Sequence, residues 1–272
     1  MYRKIILLIS VLLFATLIFV FIIQMQNNSR PETFTDKTSE STNTISKNEP
    51  VTVSQPETET IEIKIQEDFP MADRVTYQPG FYYESLSDDI KSRITGISYP
   101  KEGCAIPYED LRYVSVLHYD LDGKEQIGEL ICNQAIAEDM VEIFYELYQI
   151  EYPIEQIRLI DEYSGDDTLS MMDNNSSSFN YRVIEGTTRL SKHALGMAID
   201  INPFYNPYVT YPNGIERISP VGSEPYADRD AVFSFKITHD DPAYKLFIEH
   251  GFEWGGDWKS SKDYQHFQKE VE

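Results

Sequence analysis

Hydrophobic and polar residues divide the chain into three regions. Residues 5–23 are apolar except for Ser10 and Thr16, a run about as long as a helix needs to cross a membrane. Residues 28–69 are rich in Ser, Thr, Glu, Pro and Gln, so this linker buries too little apolar surface to fold and is expected to be disordered. From residue 70 onward apolar residues recur with the periods of strands and helices, which predicts a folded domain over residues 70–272.

Within the folded part, the pattern predicts a β-hairpin followed by an amphipathic helix. The β-branched and aromatic run 111–119 and the apolar run 126–132 flank the turn residues Asp122 and Gly123. In the segment 133–150 the apolar residues fall on one face of a helix, at Ile136, Met140, Ile143, Phe144 and Leu147. This stripe indicates a buried core face without functional content.

Further elements are predicted from local signals. These are strands at 156–163 and 197–202, a helix at 242–250 and a short helix after Ser87. Asp240 or Asp241 would cap the helix at 242–250, and Gly251 would end it. Because strands and helices follow one another without a repeated βαβ pattern, we expect an α+β fold in which helices flank a small antiparallel sheet.

The first region indicates export. Arg3 and Lys4 precede the apolar run, so the positive-inside rule places the N-terminus in the cytoplasm and the later regions outside the cell membrane. The run ends without the small residues of a signal-peptide cleavage site, which favours a single-pass anchor over residues 1–27. Cleavage would instead give a secreted protein. In either case the linker 28–69 serves as a flexible tether.

Charge excludes one class of partner. The formal net charge of the chain is −22 at pH 7, and most of it lies after residue 70. A surface that holds nucleic acid through its phosphates needs concentrated Lys and Arg. We therefore exclude a nucleic-acid partner.

Two short motifs carry the candidate chemistry. SKHALGMAID at 191–200 contains His193 and Asp200, and DYQHF at 263–267 contains Asp263 and His266. His193, Asp200 and one further His would form a zinc site that leaves a fourth position for water. In the second motif one outer residue could bind the metal while the other stays beside it as a base. Asp200 follows apolar residues, where a carboxylate without a partner is costly, and this supports a metal.

The two motifs resemble those of the VanY-like zinc D-alanyl-D-alanine carboxypeptidases and their relatives, the L-alanyl-D-glutamate endopeptidases. SKHALGMAID matches the family signature SxHxxGxAxD, and the later motif, an acidic residue three positions before His, matches DYQH. The resemblance implies a small α+β peptidase fold with a catalytic core at about residues 179–268. It also implies that His193, Asp200 and His266 bind zinc and that Asp263 is the general base.

The other three His residues and the two Cys residues stay outside this assignment. His118, His239 and His250 are expected to be ordinary hydrogen-bonded residues. Cys104 and Cys132 would face an oxidising exterior, where they either pair or remain free.

The resemblance implies a substrate and its contacts. The substrate would be a stem peptide of peptidoglycan, cleaved at its terminal D-Ala by a carboxypeptidase. One alternative is an endopeptidase of the same family, which cuts between L-Ala and D-Glu. Another is a cell-wall-binding module that has lost catalysis, against which the intact set of four motif residues argues. For substrate contacts we expect Arg182, Arg189 or Lys192 as the cation, together with Ser191 and Trp258.

Overall fold

The computed structural model describes residues 71–184 and 186–270. Over this part of the chain the fold is α+β, with short helices and small, mostly antiparallel sheets. None of the helices in these two ranges is long and apolar enough to cross a bilayer. The predicted anchor at 1–27 and linker at 28–69 lie outside the described residues.

The largest sheet is antiparallel and has four strands in chain order. They are β1, Val75–Gln78; β2, Phe81–Ser85; β3, Leu111–Tyr119; and β4, Glu125–Asn133. The predicted hairpin is the β3–β4 pair, whose register runs from Leu111 opposite Asn133 to Tyr119 opposite Glu125. Its turn contains Gly123 with a φ of 77°, a conformation that glycine adopts without steric cost. The prediction of the hairpin is confirmed.

The remaining strands are short and form three smaller groups. They are β5, Gln156–Ile157; β6, Asn175–Ser176; β7, Ala198–Asp200; β8, Tyr208–Thr210; β9, Arg217–Ser219; β10, Glu253–Trp254; β11, Lys262–Asp263; and β12, His266–Gln268. One antiparallel sheet has the order β10–β12–β7, another has the order β11–β8–β9, and β5 pairs with β6 in parallel. The described residues thus contain three antiparallel sheets where one was expected.

The helices are α1, Asp88–Ile94; α2, Ala137–Gln149; α3, Asp167–Met172; α4, Glu224–Ala227; and α5, Pro242–Glu249. Ser87 caps α1 as predicted, because its Oγ accepts a hydrogen bond from the Ile90 N–H. Of the two candidate caps for α5, Asp241 accepts the bond, from the Ala243 N–H.

Helix α2 supplies much of the main core. The whole predicted stripe is buried, with Ile136 just before the helix and Met140, Ile143, Phe144 and Leu147 within it. These side chains share one cluster with apolar residues of the large sheet and of β7 and β12. Burying one such side chain contributes about 1.5–3 kcal/mol. The amphipathic pattern therefore accounts for how α2 packs.

The strand predicted at 156–163 is wrong beyond its first two residues. Only Gln156–Ile157 pairs, and a 3-10 helix occupies Ile160–Tyr163. Leu159 and Ile160 are both buried. The Glu162 N–H donates to the Leu159 carbonyl and the Gly165 N–H donates to the Ile160 carbonyl, so this segment closes local hydrogen bonds instead of pairing with another strand.

Helix α5 supports the strand that carries the second motif. Phe247 stacks on Phe267 with 4.4 Å between ring centroids, and neither side chain is exposed. Phe267 is the neighbour of His266 in the chain. This core contact therefore fixes the backbone of β12 at the position that carries His266.

The two cysteines do not form a disulfide. Cys104 is half-buried, Cys132 is buried in β4, and both are free. Burial raises the pKa of the Cys132 thiol, so it stays protonated and unreactive.

Candidate metal centre

His193 is held by a tight turn against the large sheet. It begins a one-turn 3-10 helix that ends at Gly196, whose φ is 67°. The Gly196 carbonyl accepts a hydrogen bond from the Asn133 N–H at 2.8 Å. A Cβ at position 196 would lie 2.6 Å from that same nitrogen, so only glycine fits both the φ and the space.

Asp200 and His266 face each other through strand pairing. The antiparallel register of β7 and β12 places Asp200 directly opposite His266 and Ile199 opposite Phe267. The strand predicted at 197–202 is shorter than expected, but it still ends with Asp200 at the site. Two residues far apart in sequence are thereby brought together by backbone hydrogen bonds.

His193, Asp200 and His266 converge on one point, with one ligand atom of each within 4.8 Å of the others. The distance from His193 Nε2 to His266 Nδ1 is 3.1 Å. The carboxylate oxygens of Asp200 lie 3.3 Å from His193 Nε2 and 3.0 Å from His266 Nδ1. In the described residues this is the one group of three such side chains with this convergence.

The outer ring nitrogens set the tautomers of both histidines. His193 Nδ1 lies 2.6 Å from the Ser178 carbonyl oxygen, and His266 Nε2 lies 3.1 Å from the Gln268 side-chain oxygen. Each partner is an acceptor, which assigns the ring proton to the outer nitrogen. In the neutral rings, the nitrogens that face each other and Asp200 then carry lone pairs, as metal ligands do.

The donor set fits zinc. Two imidazole nitrogens and a carboxylate are the usual ligands of a zinc site that keeps a fourth position open. Bonds of 2.0–2.1 Å in tetrahedral geometry separate the ligand atoms by about 3.3 Å. The 3.1 Å between the two imidazole nitrogens is close to that value, and each nitrogen lies 3.0–3.3 Å from one of the two Asp200 oxygens.

The protonation states of Asp200 and His266 depend on each other. Burial raises the pKa of Asp200, but the charges and hydrogen bonds of His193 and His266 outweigh burial and hold that pKa well below its usual range. Burial lowers the pKa of His266, but the hydrogen bond to Asp200 and its negative charge raise it overall. Protons and a metal ion therefore compete for the same atoms.

Asp263 lies beside the cluster on a different sheet. It belongs to β11, which pairs with β8 so that Asp263 lies opposite Tyr208. Its Oδ1 is buried and has no hydrogen-bond partner in the described residues. Burial, reinforced by the charge of Asp200, raises the pKa of Asp263 to about 7 although His266 opposes the shift. Such a carboxyl can take up and release a proton near neutral pH.

Gly255 lets Asp263 and His266 approach each other. A Cβ at this position would lie 2.6 Å from the Asp263 carbonyl oxygen and 3.3 Å from the His266 Cβ. The sequence prediction did not single out this glycine, nor Ser178 and Gln268. Gln268 could have been found, because side chains two apart in a strand share a face. The Ser178 carbonyl has no sequence signal.

Of the two tryptophans, Trp258 lies at the site. Its ring centroid is 5.3 Å from that of His266, and it is half-buried. Trp254 is buried and donates from Nε1 to the Tyr264 carbonyl at 3.0 Å, so its role is packing and support of the second motif.

Three of the other residues expected to contact the substrate are Arg182, Arg189 and Ser191. Arg182 forms an ion pair with Asp167, and its side chain is 37% exposed. Arg189 is exposed. Ser191 is buried, and its Oγ accepts a hydrogen bond from the Ala194 N–H, so it caps the turn that begins at His193.

The three remaining histidines are hydrogen-bonded away from the cluster, as expected. His118 Nδ1 lies 2.9 Å from the Ile154 carbonyl oxygen, and burial lowers the pKa of this ring. His239 contacts Asp257, and His250 contacts Asp139.

Comparison with protein families gives one match. Residues 185–269 match the family model described as D-alanyl-D-alanine carboxypeptidase. No curated protein and no solved structure gives a significant match. The matched segment contains His193, Asp200, Asp263 and His266. These residues thus lie in a segment that matches a peptidase family, which supports a relationship to the VanY-like peptidases that act on peptidoglycan.

Proposed function

We propose that this protein is a zinc-dependent peptidase that removes the terminal D-Ala from peptidoglycan stem peptides. The observation that carries the proposal is the convergence of His193, Asp200 and His266 within 4.8 Å, inside the segment that matches the carboxypeptidase model. His193 Nε2, His266 Nδ1 and the Asp200 carboxylate would hold the ion. When bound, zinc lowers the pKa of a coordinated water and polarises the scissile carbonyl.

In this proposal Asp263 moves the proton. It takes a proton from the attacking water and returns it to the leaving amine, so that the peptide bond is hydrolysed without an acyl-enzyme. Burial raises the pKa of this carboxyl in the metal-free protein, which favours a group that takes up and returns a proton. Ser178 and Gln268 keep the two imidazole rings in the orientation that presents their inner nitrogens.

A carboxypeptidase also needs a cation for the free terminal carboxylate. Arg182 is our first candidate, because its side chain is partly exposed and its ion pair with Asp167 fixes the direction of that side chain. Arg189 is the second candidate. Trp258, next to His266, would form an apolar wall for the peptide.

Mass spectrometry of muropeptides incubated with the full-length chain tests this proposal. Loss of one D-Ala, abolished by a chelator and restored by zinc, is the expected result. Asp263→Ala should keep zinc but lose turnover, whereas His193→Ala should lose zinc itself. A cut between L-Ala and D-Glu would identify an endopeptidase. Wall binding without zinc or cleavage would overturn the enzymatic proposal.

We further propose that the peptidase works outside a cell membrane, held by the apolar run 5–23 and the linker 28–69. The basic residues before the run and the absence of a cleavage site support this arrangement. Protease treatment of intact cells should release a fragment that begins in the linker. A fragment protected until the cells are lysed would contradict it.

A further inference from the structure

Asp263 lies on a different sheet from two of the three proposed ligands. Asp200 and His266 lie on β7 and β12, which pair with each other. Asp263 lies on β11, which pairs with β8. Strands β8 and β9 both belong to residues 203–237, here called the β8–β9 segment, which leaves the metal sheet after β7. The position of Asp263 relative to the ligands therefore depends on how this segment is held.

Arg229 lies at the centre of the β8–β9 segment. Its guanidinium donates four hydrogen bonds at 2.7–3.2 Å, to the carbonyl oxygens of Tyr205, Tyr226 and Ile237 and to the side-chain oxygen of Asn206. Burial lowers the pKa of Arg229 to about 10, which leaves it charged at neutral pH. No carboxylate pairs with it within residues 71–184 and 186–270. Backbone carbonyls and aromatic rings compensate its charge instead.

One of those rings belongs to the second motif. The guanidinium carbon of Arg229 lies 4.3 Å from the ring centroid of Tyr264, the residue next to Asp263. The Tyr264 N–H also donates to the Pro207 carbonyl at 3.3 Å. The β8–β9 segment thus contacts Tyr264 twice, through a hydrogen bond to its backbone N–H and through the Arg229 guanidinium on its ring.

Asn206 connects the same arginine to the first motif. It is fully buried, and its oxygen accepts from Arg229 and from the Ile237 N–H. Its Nδ2 donates to the carbonyl of Asn202, two residues after Asp200. Arg229 is therefore connected to both chemical motifs, although its hydrogen bonds and ring contacts go to other residues than the three proposed ligands and Asp263.

We propose that Arg229 is a positioning residue, which acts through Tyr264 to hold Asp263 at its working place relative to the metal ligands. The inference rests on the proposed peptidase function. It predicts that loss of Arg229 impairs the proton-transfer step, while Asp200 and His266 on the other sheet and His193 on its turn keep their positions. An error of about 1 Å in the position of a catalytic group lowers the rate about 100-fold.

The test compares variants of the full-length chain. Arg229→Met removes the donors and the charge but keeps a long side chain, and Tyr264→Leu removes the ring on which the guanidinium lies. Tyr264→Phe keeps that ring. Arg93→Met is the matched control, because Arg93 also joins separate elements, through Glu129 and Glu162, but outside the site. For each variant we would measure kcat, KM, zinc affinity and the unfolding midpoint.

We expect kcat to fall about 10- to 100-fold in Arg229→Met and Tyr264→Leu. KM and zinc affinity should stay within about threefold of wild type, because the ligands do not move. Tyr264→Phe and Arg93→Met should keep the wild-type kcat. If Arg229→Met does not fold, the pair of Tyr264 variants decides the question.

Two results would overturn the proposal. The first is a wild-type kcat in folded Arg229→Met, or in Tyr264→Leu if Arg229→Met does not fold. The second is a loss of kcat in Arg93→Met as large as that in Arg229→Met, which would show general destabilisation. Failure of the peptidase function itself looks different, since the wild-type chain would then release no product from muropeptides.

Discussion

Replacing Gly255 by Ala tests whether the approach of Asp263 to the metal ligands matters. Gly255 does not have a positive φ, so alanine can adopt its backbone conformation. The added Cβ, however, would lie 2.6 Å from the Asp263 carbonyl oxygen and 2.7 Å from its Cβ, where carbon contacts normally need about 3.5–4.0 Å. The strands that carry Asp263 and His266 must therefore yield by roughly 1 Å.

This displacement should have three measurable consequences. Overpacking of this size costs about 1–3 kcal/mol in the free energy of unfolding. A shift of the base or a ligand by about 1 Å should lower kcat about 100-fold. Zinc affinity should fall about 10- to 100-fold, as for other changes that disturb ligand orientation.

Gly128→Ala is the matched control. Gly128 is buried in β4, also lacks a positive φ, and an added Cβ would lie 2.7 Å from the Cβ of Ile157. It should cost a similar free energy of unfolding but leave zinc affinity and kcat unchanged. Urea unfolding in chelator, competition with a chromophoric zinc chelator and muropeptide hydrolysis provide the three readouts. Equal losses in both variants, or none in Gly255→Ala, would refute the reasoning.

Three further predictions concern the metal and the base. Zinc at about 100 times its Kd should stabilise the protein by about 2.7 kcal/mol, so EDTA should lower Tm by about 5–11 °C, and an unchanged Tm would argue against a bound metal. Gln268→Met should weaken zinc about 10- to 100-fold by freeing the His266 ring, and unaltered zinc affinity in the competition assay would contradict that role. In chelated protein, the Asp263 carboxyl contributes stability that is present below its unfolded pKa of 3.8 and lost as pH rises through about 7. Asp263→Asn should therefore gain stability relative to wild type across that pH window, as measured by urea unfolding. A difference in the free energy of unfolding between the two proteins that stays constant with pH would show that the carboxyl titrates normally.

The chemical motifs could be found in the sequence because each is short and local. A carboxylate after an apolar run, as at Asp200, and a histidine seven positions before it, as at His193, are visible without any knowledge of pairing. The hairpin and the helices α2 and α5 were predictable for the same reason, since period, turn residues and caps are local properties. The prediction of a strand over 156–163 was wrong because residues 160–163 close local hydrogen bonds in a 3-10 helix and do not pair with another strand.

The supporting parts of the site depend on contacts between residues distant in sequence. The Ser178 carbonyl orients His193 from 15 positions away, and the register of β7 with β12 joins Asp200 to a residue 66 positions later. No local pattern specifies such pairings. Each of these short strands has few hydrogen bonds, so its partner is determined by the packing of the whole fold.

By itself, the sequence determined the ligand and base candidates and the α+β class, since residue type and local period suffice for these. Only the tertiary structure decided that Asp263 lies on one sheet and Asp200 and His266 on another, joined by the short link between β11 and β12, and that Arg229 packs against Tyr264 in that link. The physical reason is that side-chain chemistry is encoded residue by residue, whereas the distance between two groups is set by the packing of all the elements that carry them.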